Sequence, residues 1–238
     1  NGMWAIAWLS QNENKLYLAR DRVGIKPLYI KKNAHSISYA SEVKSILESS
    51  KQKFSINFQA IGEYIEQSLQ DTSNNSFFDE IVALPAGHFL DVDLAGSELK
   101  YTLHKYWDPV ISEEEQDAHE AVEEFKLLFE DAVKLRMRSD VPVGVTLSGG
   151  LDSSAIASVM QKSSPNENLN ILSAVSPGSK LDESPFIDIM IEHLGAQAHK
   201  VELSWSAEQT FDLLSTAIYH NDSPIGSLSN VAHYLMMQ

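Results

Sequence analysis

A run of small and hydroxylated residues near position 150 carries the most specific chemical pattern in the sequence. Residues 141–160 read VPVGVTLSGGLDSSAIASVM, so Ser148, Gly149 and Gly150 separate an apolar segment from a helix-forming one. Glycine lets the backbone approach a ligand without interference from a Cβ atom. The free N–H groups and the positive dipole end of a helix attract anions. The pattern therefore predicts a phosphate-binding loop between a strand and a helix.

Asp152 stands inside this loop, where a carboxylate next to phosphates is repulsive unless a divalent cation bridges them. We therefore expect Asp152 to bind Mg²⁺ together with the phosphates of a nucleotide. The loop is not of the Walker A type, because no lysine follows the second glycine and GxxxxGK[ST] is absent from the sequence. The alternative is an ordinary strand–turn–helix connection capped by serine. It is less favoured because six specific residues, 148–153, occur together in this context.

The elements around the loop fall into two parts. Up to about residue 110, short apolar or alternating runs between polar turns predict mainly strands, with two helices within residues 41–69. Ser41 is the expected N-cap of the first helix. Beyond the acidic residues 113–117, apolar segments alternate with amphipathic helices, which indicates parallel strands joined by right-handed crossovers. We predict two domains, residues 1–110 and 111–238.

Composition excludes several classes of function. The formal net charge is −15, which argues against nucleic acid or an anionic membrane as the main partner. It does not exclude ATP, because backbone amides and a metal ion can bind phosphates locally. No apolar run approaches the ~20 residues of a membrane helix. Cysteine is absent, so the chain has no disulfide, thiolate metal site or cysteine nucleophile. We expect a cytoplasmic protein.

The loop resembles the pyrophosphate loop of N-type ATP pyrophosphatases, and that of glutamine-hydrolysing asparagine synthetases in particular. Other motifs resemble the same family: NGMWAIAW at 1–8, RDRVGIKPLY at 20–29, LPAGH at 84–88 and YWDP at 106–109. The resemblance implies an α/β chain with an α+β part. Residues 1–110 would form part of an Ntn-type glutaminase β-sandwich. The rest would form part of a Rossmann-like, parallel-sheet ATP-pyrophosphatase domain.

The resemblance also implies an activity. Family members amidate aspartate to asparagine through a β-aspartyl-adenylate and take the nitrogen from glutamine or ammonia, so the enzyme would be an AMP-forming carbon–nitrogen ligase. ATP and Mg²⁺ would be its cofactors, with Asp152 as the metal ligand and the backbone of Val175 against adenine. The implied contacts to ATP and pyrophosphate are Leu147, Ser148, Gly149, Gly150, Leu151, Asp152, Ser153 and Ser154.

Three further carboxylates are candidates for substrate binding. Asp182 and Glu183 follow the second predicted parallel strand and so lie on the ligand side of the sheet, although charges favourable to a helix N-terminus explain them equally. Asp222 lies in a segment that resembles the family's loop near the adenylate pocket, with plain turn chemistry as its alternative. Arg20, Asp21 and Arg22 are expected to form an ion network that stabilises a turn rather than a catalytic cluster.

Two features of the family are missing from these 238 residues. They contain neither the N-terminal cysteine nucleophile of the glutaminase nor the second acidic motif, of the Gly-Glu-Gly-Ser-Asp-Glu type. We therefore expect the chain alone to be an inactive piece of the parent enzyme. Two alternatives stay open: an amidotransferase acting on another carboxylate, such as a sugar acid or peptide, and a non-catalytic ATP-binding scaffold. The oligomeric state is also open, a homodimer included.

Overall fold

The computed structural model describes residues 2–50, 52–70, 73–111, 117–165, 168–180 and 182–238. Internal packing divides the chain into two units. The first comprises Asn1–Ser112 and Asp222–Pro224, and the second comprises Glu113–Asn221 and Ile225–Gln238. Most of the acidic stretch 113–117 lies outside the described residues.

The first unit is built on antiparallel sheets. Its strands are β1 (Ala5–Ser10), β2 (Lys15–Arg20), β3 (Tyr29–Lys32), β4 (Ile37–Ala40), β5 (Val82–Ala83), β6 (His88–Asp93) and β7 (Lys100–Lys105). Its helices are α1 (Val43–Ser49) and α2 (Phe58–Gln67). One sheet has the strand order β1-β2-β6-β7, and the other has the order β4-β3-β5.

Alternating side chains of the first unit form its core. In β2, Leu16 and Leu18 are buried while their neighbours are partly exposed, and in β6 the same holds for Leu90 and Val92. Ile30 of β3 joins the same apolar cluster, so the two sheets share one core. This is the period of two expected for strands with one buried face.

Asp21 anchors the turn that follows β2. Its carboxylate, in a residue only 1% exposed, accepts hydrogen bonds from the backbone N–H groups of Trp4, Val23, Ile25 and Lys26. Burial alone would raise the pKa of Asp21, but these hydrogen bonds outweigh it and hold the pKa below its usual range. Arg20 donates to the carbonyl groups of Gly24, Lys26 and Leu84. Both side chains therefore stabilise the turn through bonds to backbone groups.

The second unit alternates strands and helices. Its strands are β8 (Gly144–Thr146), β9 (Asn170–Val175) and β10 (Gln197–Glu202), which pair in parallel in the order β10-β9-β8. Its helices are α3 (Ala118–Arg136), α4 (Leu151–Ser163), α5 (Ser184–Leu194), α6 (Ala207–Asn221) and α7 (Ser229–Met236). The predicted parallel sheet is thus confirmed. Its apolar core includes Leu147, Ile171 and Ile187.

One expected helix cap was wrong. Ser41 does not cap α1, because the residue before the helix is Glu42 and its side chain makes no capping hydrogen bond. The carboxylate of Asp222, which belongs to the first unit, accepts from the N–H groups of Val43 at 2.7 Å and Lys44 at 3.3 Å instead.

None of the helices in the described part of the chain has the length and apolar character that a bilayer crossing requires.

Candidate functional site

The loop after β8 is held firmly to the sheet. Leu147 is 2% exposed, and its N–H donates to the carbonyl of Leu172 at 2.9 Å, which extends the pairing of β8 with β9. Ser173 is fully buried, and its Oγ donates to the carbonyl of Leu147 at 2.8 Å. The strand end is therefore fixed on both sides of the Leu147 peptide.

A close approach between loop and helix follows. Gly149 has φ +76°, and a Cβ atom there would lie 2.6 Å from the Cβ of Phe186 in α5. Gly150 is the N-cap of α4 and has no side chain with which to make a capping hydrogen bond. The first N–H groups of a helix have no partner within it, so the start of α4 presents free donors to an anion.

Hydroxyl groups surround this helix start. The Oγ atoms of Ser148 and Ser153 lie 3.1 Å apart, and the Ser153 Oγ also lies 3.2 Å from the carbonyl of Gly150. The Oγ of Ser154 is buried and has no hydrogen-bond partner among the described residues. Leu151 is 85% exposed, and Asp152 is exposed in the first turn of α4. All eight predicted loop residues thus lie together at one end of α4.

A pocket of about 550 Å³ adjoins the loop. It lies within the second unit, at the carboxyl edge of the parallel sheet, where open α/β sheets bind ligands. Its lining residues come from the loop, the ends of β9 and β10, the start of α5, and α7: Thr146, Leu147, Ser148, Ser153, Ala174, Ser176, Glu183, Leu203, Trp205, Leu228, Ser229, Ala232, His233 and Met236.

The substrate candidates after β9 occupy different environments. Glu183 is exposed and lines the pocket. Asp182 instead accepts hydrogen bonds from the Oγ and the N–H of Ser184, the first residue of α5. These bonds hold the pKa of the Asp182 carboxyl below its usual range. Val175 is buried at the end of β9, and its carbonyl accepts from the N–H of Leu203 at 2.8 Å.

Asp222 is grouped by its contacts with the first unit. Its side chain is 11% exposed and forms an ion pair of 3.2 Å with the Nζ of Lys44, besides its bonds to the start of α1. It has φ +58°, the left-handed conformation that aspartate tolerates in turns. The observed contacts of Asp222 are therefore those of a capping residue.

Asp152 fits the role of a magnesium ligand by its donor chemistry. No group of three or more histidine, cysteine, aspartate or glutamate side chains that could hold a metal occurs within the described residues. Mg²⁺ in nucleotide sites commonly uses one or two carboxylates together with substrate phosphates and water. A single exposed carboxylate beside the free N–H groups of α4 satisfies that requirement.

Some pocket residues were not singled out from the sequence. Ser176 directly follows the parallel strand β9, and Trp205 comes three residues after the end of β10, so the rule that ligands bind at carboxyl ends of strands could have identified them. His233 and Met236 belong to α7, which packs beside β9. No local sequence pattern predicts the contact between α7 and β9, because the two elements are far apart in the chain.

Comparison with known proteins finds a family match for each of the two units. The family described as glutamine amidotransferase domain matches residues 1–107, and the family described as asparagine synthase matches residues 124–238. Asparagine synthetase 3 (glutamine-hydrolysing) of Bacillus subtilis is 31% identical over 94% of this chain and 38% of its own length. A provisionally named asparagine synthetase 2 of Methanocaldococcus jannaschii is 33% identical over 98% of this chain and 45% of its own length.

More distant relatives carry other names, among them amidase chry2 of Gibberella zeae, which is 27% identical over the whole chain and 36% of its own length. The chain spans less than half the length of the curated relatives that it matches. The two family matches cover successive parts of the chain, and together with the synthetase relatives they agree on one assignment. The chain belongs to the glutamine-hydrolysing asparagine synthetase family.

Proposed function

We propose that this chain is part of an enzyme that uses ATP to amidate aspartate to asparagine, with glutamine as the nitrogen donor. The observation that carries the proposal is the pocket in which the loop serines and the uncapped start of α4 meet the carboxyl edge of a parallel sheet. Family membership supports the reaction type. Because the chain spans less than half of its relatives, the reaction is proposed for the whole protein.

The architecture supports a different function for each of the two units. Two antiparallel sheets around a shared core fit part of an Ntn-type glutaminase sandwich, which would release ammonia from glutamine. Three parallel strands alternating with helices fit part of a Rossmann-like ATP-pyrophosphatase domain, which would activate aspartate. No cysteine occurs in the 238 residues, so we expect no glutamine hydrolysis by this chain alone.

The loop residues have distinct roles in the proposed activation step. The β-carboxylate of aspartate attacks the α-phosphorus of ATP, which forms β-aspartyl-adenylate and breaks the bond to pyrophosphate. The N–H groups at the start of α4 and the hydroxyls of Ser148 and Ser153 bind the phosphate oxygens as negative charge builds up on pyrophosphate. Asp152 would hold Mg²⁺, which would supply positive charge to the phosphates when bound. Ammonia then displaces AMP and gives asparagine.

The decisive experiment measures pyrophosphate release by the whole protein with ATP, Mg²⁺ and ammonia. We expect release that depends on aspartate, together with formation of asparagine. Asp152→Asn should abolish release without changing the circular dichroism spectrum, because the metal loses its protein carboxylate. Asp131→Asn, an exposed position on α3, is the matched control and should retain activity.

Each other outcome assigns the error to one part of the proposal. Pyrophosphate release with a different carboxylate but not with aspartate would make the acceptor wrong and leave the loop's role intact. Absence of ATP cleavage with any carboxylate would favour a non-catalytic nucleotide-binding protein. Full activity of Asp152→Asn would remove Asp152 from the metal site.

A further inference from the structure

A buried hydroxyl group interrupts the apolar face of β9. Every second side chain of this strand faces the core, and these positions hold Ile171, Ser173 and Val175. The hydroxyl of Ser173 loses its contact with water there, which costs free energy unless a protein group replaces the water. Departures from local sequence rules are expected where function requires them. The presence of Ser173 in the core therefore needs an explanation other than packing.

The partner of Ser173 is the backbone that leads into the phosphate loop. Its Oγ donates to the carbonyl of Leu147 at 2.8 Å, across 26 residues of sequence. Since β8 ends at Thr146, this carbonyl lies just beyond the strand. The N–H of Leu147 is bonded to the carbonyl of Leu172, so β9 holds Leu147 by both of its backbone polar groups.

The peptide group between Leu147 and Ser148 transmits this contact to the loop. A trans peptide is planar, so its C=O and N–H groups point in opposite directions. Its carbonyl faces the buried Ser173, and its N–H donates to the Oγ of Ser153 at 3.3 Å. A hydrogen bond to the carbonyl also polarises the peptide and makes its N–H a stronger donor. A continuous chain of hydrogen bonds therefore joins the core of the second unit to Ser153.

We infer that Ser173 is a positioning residue for phosphate binding, which acts through the Leu147–Ser148 peptide on the hydroxyl of Ser153. The Ser148 N–H holds the Ser153 oxygen as an acceptor. The hydroxyl hydrogen can then turn from the carbonyl of Gly150, 3.2 Å away, to a phosphate oxygen. Ser173 is fully buried and does not touch the nucleotide itself. This inference rests on the proposed function, because it requires the loop to bind the phosphates of ATP.

The test compares Ser173→Cys with the wild type in the whole protein. Cysteine is close to serine in shape but is a weak donor, so the variant loses the hydrogen bond without a large cavity. We expect kcat for aspartate-dependent pyrophosphate release to fall about 10- to 100-fold, because displaced contacts to the transition state have effects of that size. The KM for aspartate should stay unchanged. Calorimetry should show about 3- to 10-fold weaker binding of pyrophosphate with Mg²⁺.

Ser163→Ala is the matched control. The Oγ of Ser163 also donates to a backbone carbonyl, that of Val159 at 2.7 Å, but it lies in the last turn of α4, at the end away from the loop. This variant loses a bond of the same kind within the same unit. It should keep the kcat and the pyrophosphate affinity of the wild type, with all assays run below the thermal midpoint of each variant.

The outcomes separate this inference from the proposed function. A lower thermal midpoint of Ser173→Cys with unchanged kcat and pyrophosphate affinity would overturn the positioning role and leave the proposed reaction standing. A wild type that bound pyrophosphate but released none with aspartate would overturn the reaction, and the affinity of Ser173→Cys would still decide the role of Ser173. A wild type that bound no pyrophosphate would overturn both.

A second variant covers a failure of Ser173→Cys to fold, which circular dichroism would detect. Ser173→Ala also removes the donor and introduces no larger atom into the core. Weaker pyrophosphate binding by the folded alanine variant supports the positioning role, and binding equal to that of the wild type rejects it.

Discussion

Gly149 and Gly178 share a backbone conformation but differ in their surroundings. Gly149 has φ +76° and Gly178 has φ +79°, so any other residue is strained at both positions. A Cβ atom on Gly149 would also lie 2.6 Å from the Cβ of Phe186 and 3.1 Å from the N atom of Ile187. A Cβ atom on Gly178 would meet no atom of the described residues within 4 Å. Substitution of these two glycines therefore distinguishes the effect of backbone strain from the effect of steric crowding.

We expect Gly149→Ala to lower the free energy of unfolding of the second unit by about 2–4 kcal/mol, since strain and overpacking add. Gly178→Ala should cost about 1 kcal/mol, from strain alone. Denaturant unfolding of both variants measures the difference. ATP binding should weaken only in Gly149→Ala, because a shift of α5 disturbs the loop. Equal losses of stability would contradict the crowding argument.

Asp21 makes the stability of the first unit depend on pH. Its pKa in the folded protein is below its usual range, so its ionised form contributes stability at neutral pH. That contribution is full above the unfolded-state pKa of about 3.9 and is lost as the pH falls through the lower, folded-state pKa. Asp21→Asn should cost about 1–3 kcal/mol at pH 7, because buried N–H groups lose an ionised acceptor.

The thermal midpoints of wild type and Asp21→Asn from pH 7 to pH 2 provide the measurement. The gap between the two should narrow as the pH falls below about 4, since the wild type loses the charge that the variant lacks. Asp93→Asn, which replaces an ionised acceptor for the N–H of Ala95 by a neutral one, is the control and should cost less at pH 7. A gap that stayed constant down to pH 2 would show that the charge of Asp21 has no such role.

At the scale of elements, two neighbouring carboxylates at the start of α5 differ in their contacts. Asp182 is engaged by the N–H and Oγ of Ser184, whereas Glu183 makes no capping hydrogen bond and lines the pocket. Both were substrate candidates from their position after β9. The contacts favour a structural role for Asp182 and leave Glu183 able to reach a ligand.

We predict opposite effects for substitutions at these two positions. Asp182→Ala should increase hydrogen exchange at the start of α5 and lower the thermal midpoint, because Ser184 loses its acceptor. It should leave the KM for ATP and the acceptor unchanged in the whole protein. Glu183→Gln should change the KM for ATP or for the acceptor and leave hydrogen exchange in α5 unaltered. A raised KM with normal exchange in Asp182→Ala would instead assign Asp182 to the substrate.

At the scale of the whole molecule, each unit has a core of its own. Leu18 in the first unit and Ile187 in the second are both fully buried, and they belong to different apolar clusters. Truncation of a buried leucine or isoleucine to alanine removes apolar contacts and leaves a cavity. The effect of such a change depends on the unit in which the side chain is packed.

Leu18→Ala and Ile187→Ala should each destabilise their own unit by about 2–5 kcal/mol. Hydrogen exchange followed by mass spectrometry should show faster exchange in the strands of the first unit for Leu18→Ala. It should show faster exchange in β8, β9 and α5 for Ile187→Ala. Loss of protection throughout the chain in either variant would mean that the two cores unfold as one.

Much of the local structure follows from the sequence alone. Residues 15–20, 170–175 and 184–194 form β2, β9 and α5, and Gly195 closes α5; side-chain periodicity, turn residues and a closing glycine are local signals. The parallel arrangement of the second unit and the strand–loop–helix context of Ser148 to Ser154 were also predicted. The roles of these residues in binding ATP and Mg²⁺ stay predictions.

Tertiary structure alone decided which distant segments complete the site. The packing of α7 beside β9 brings His233 and Met236 to the pocket, and the contacts of Asp222 lie at the start of α1. The nearness of Gly149 to Phe186 likewise depends on how α5 packs. Local periodicity determines which face of an element is apolar. It does not determine which remote element covers that face, because that choice depends on the packing of the whole unit.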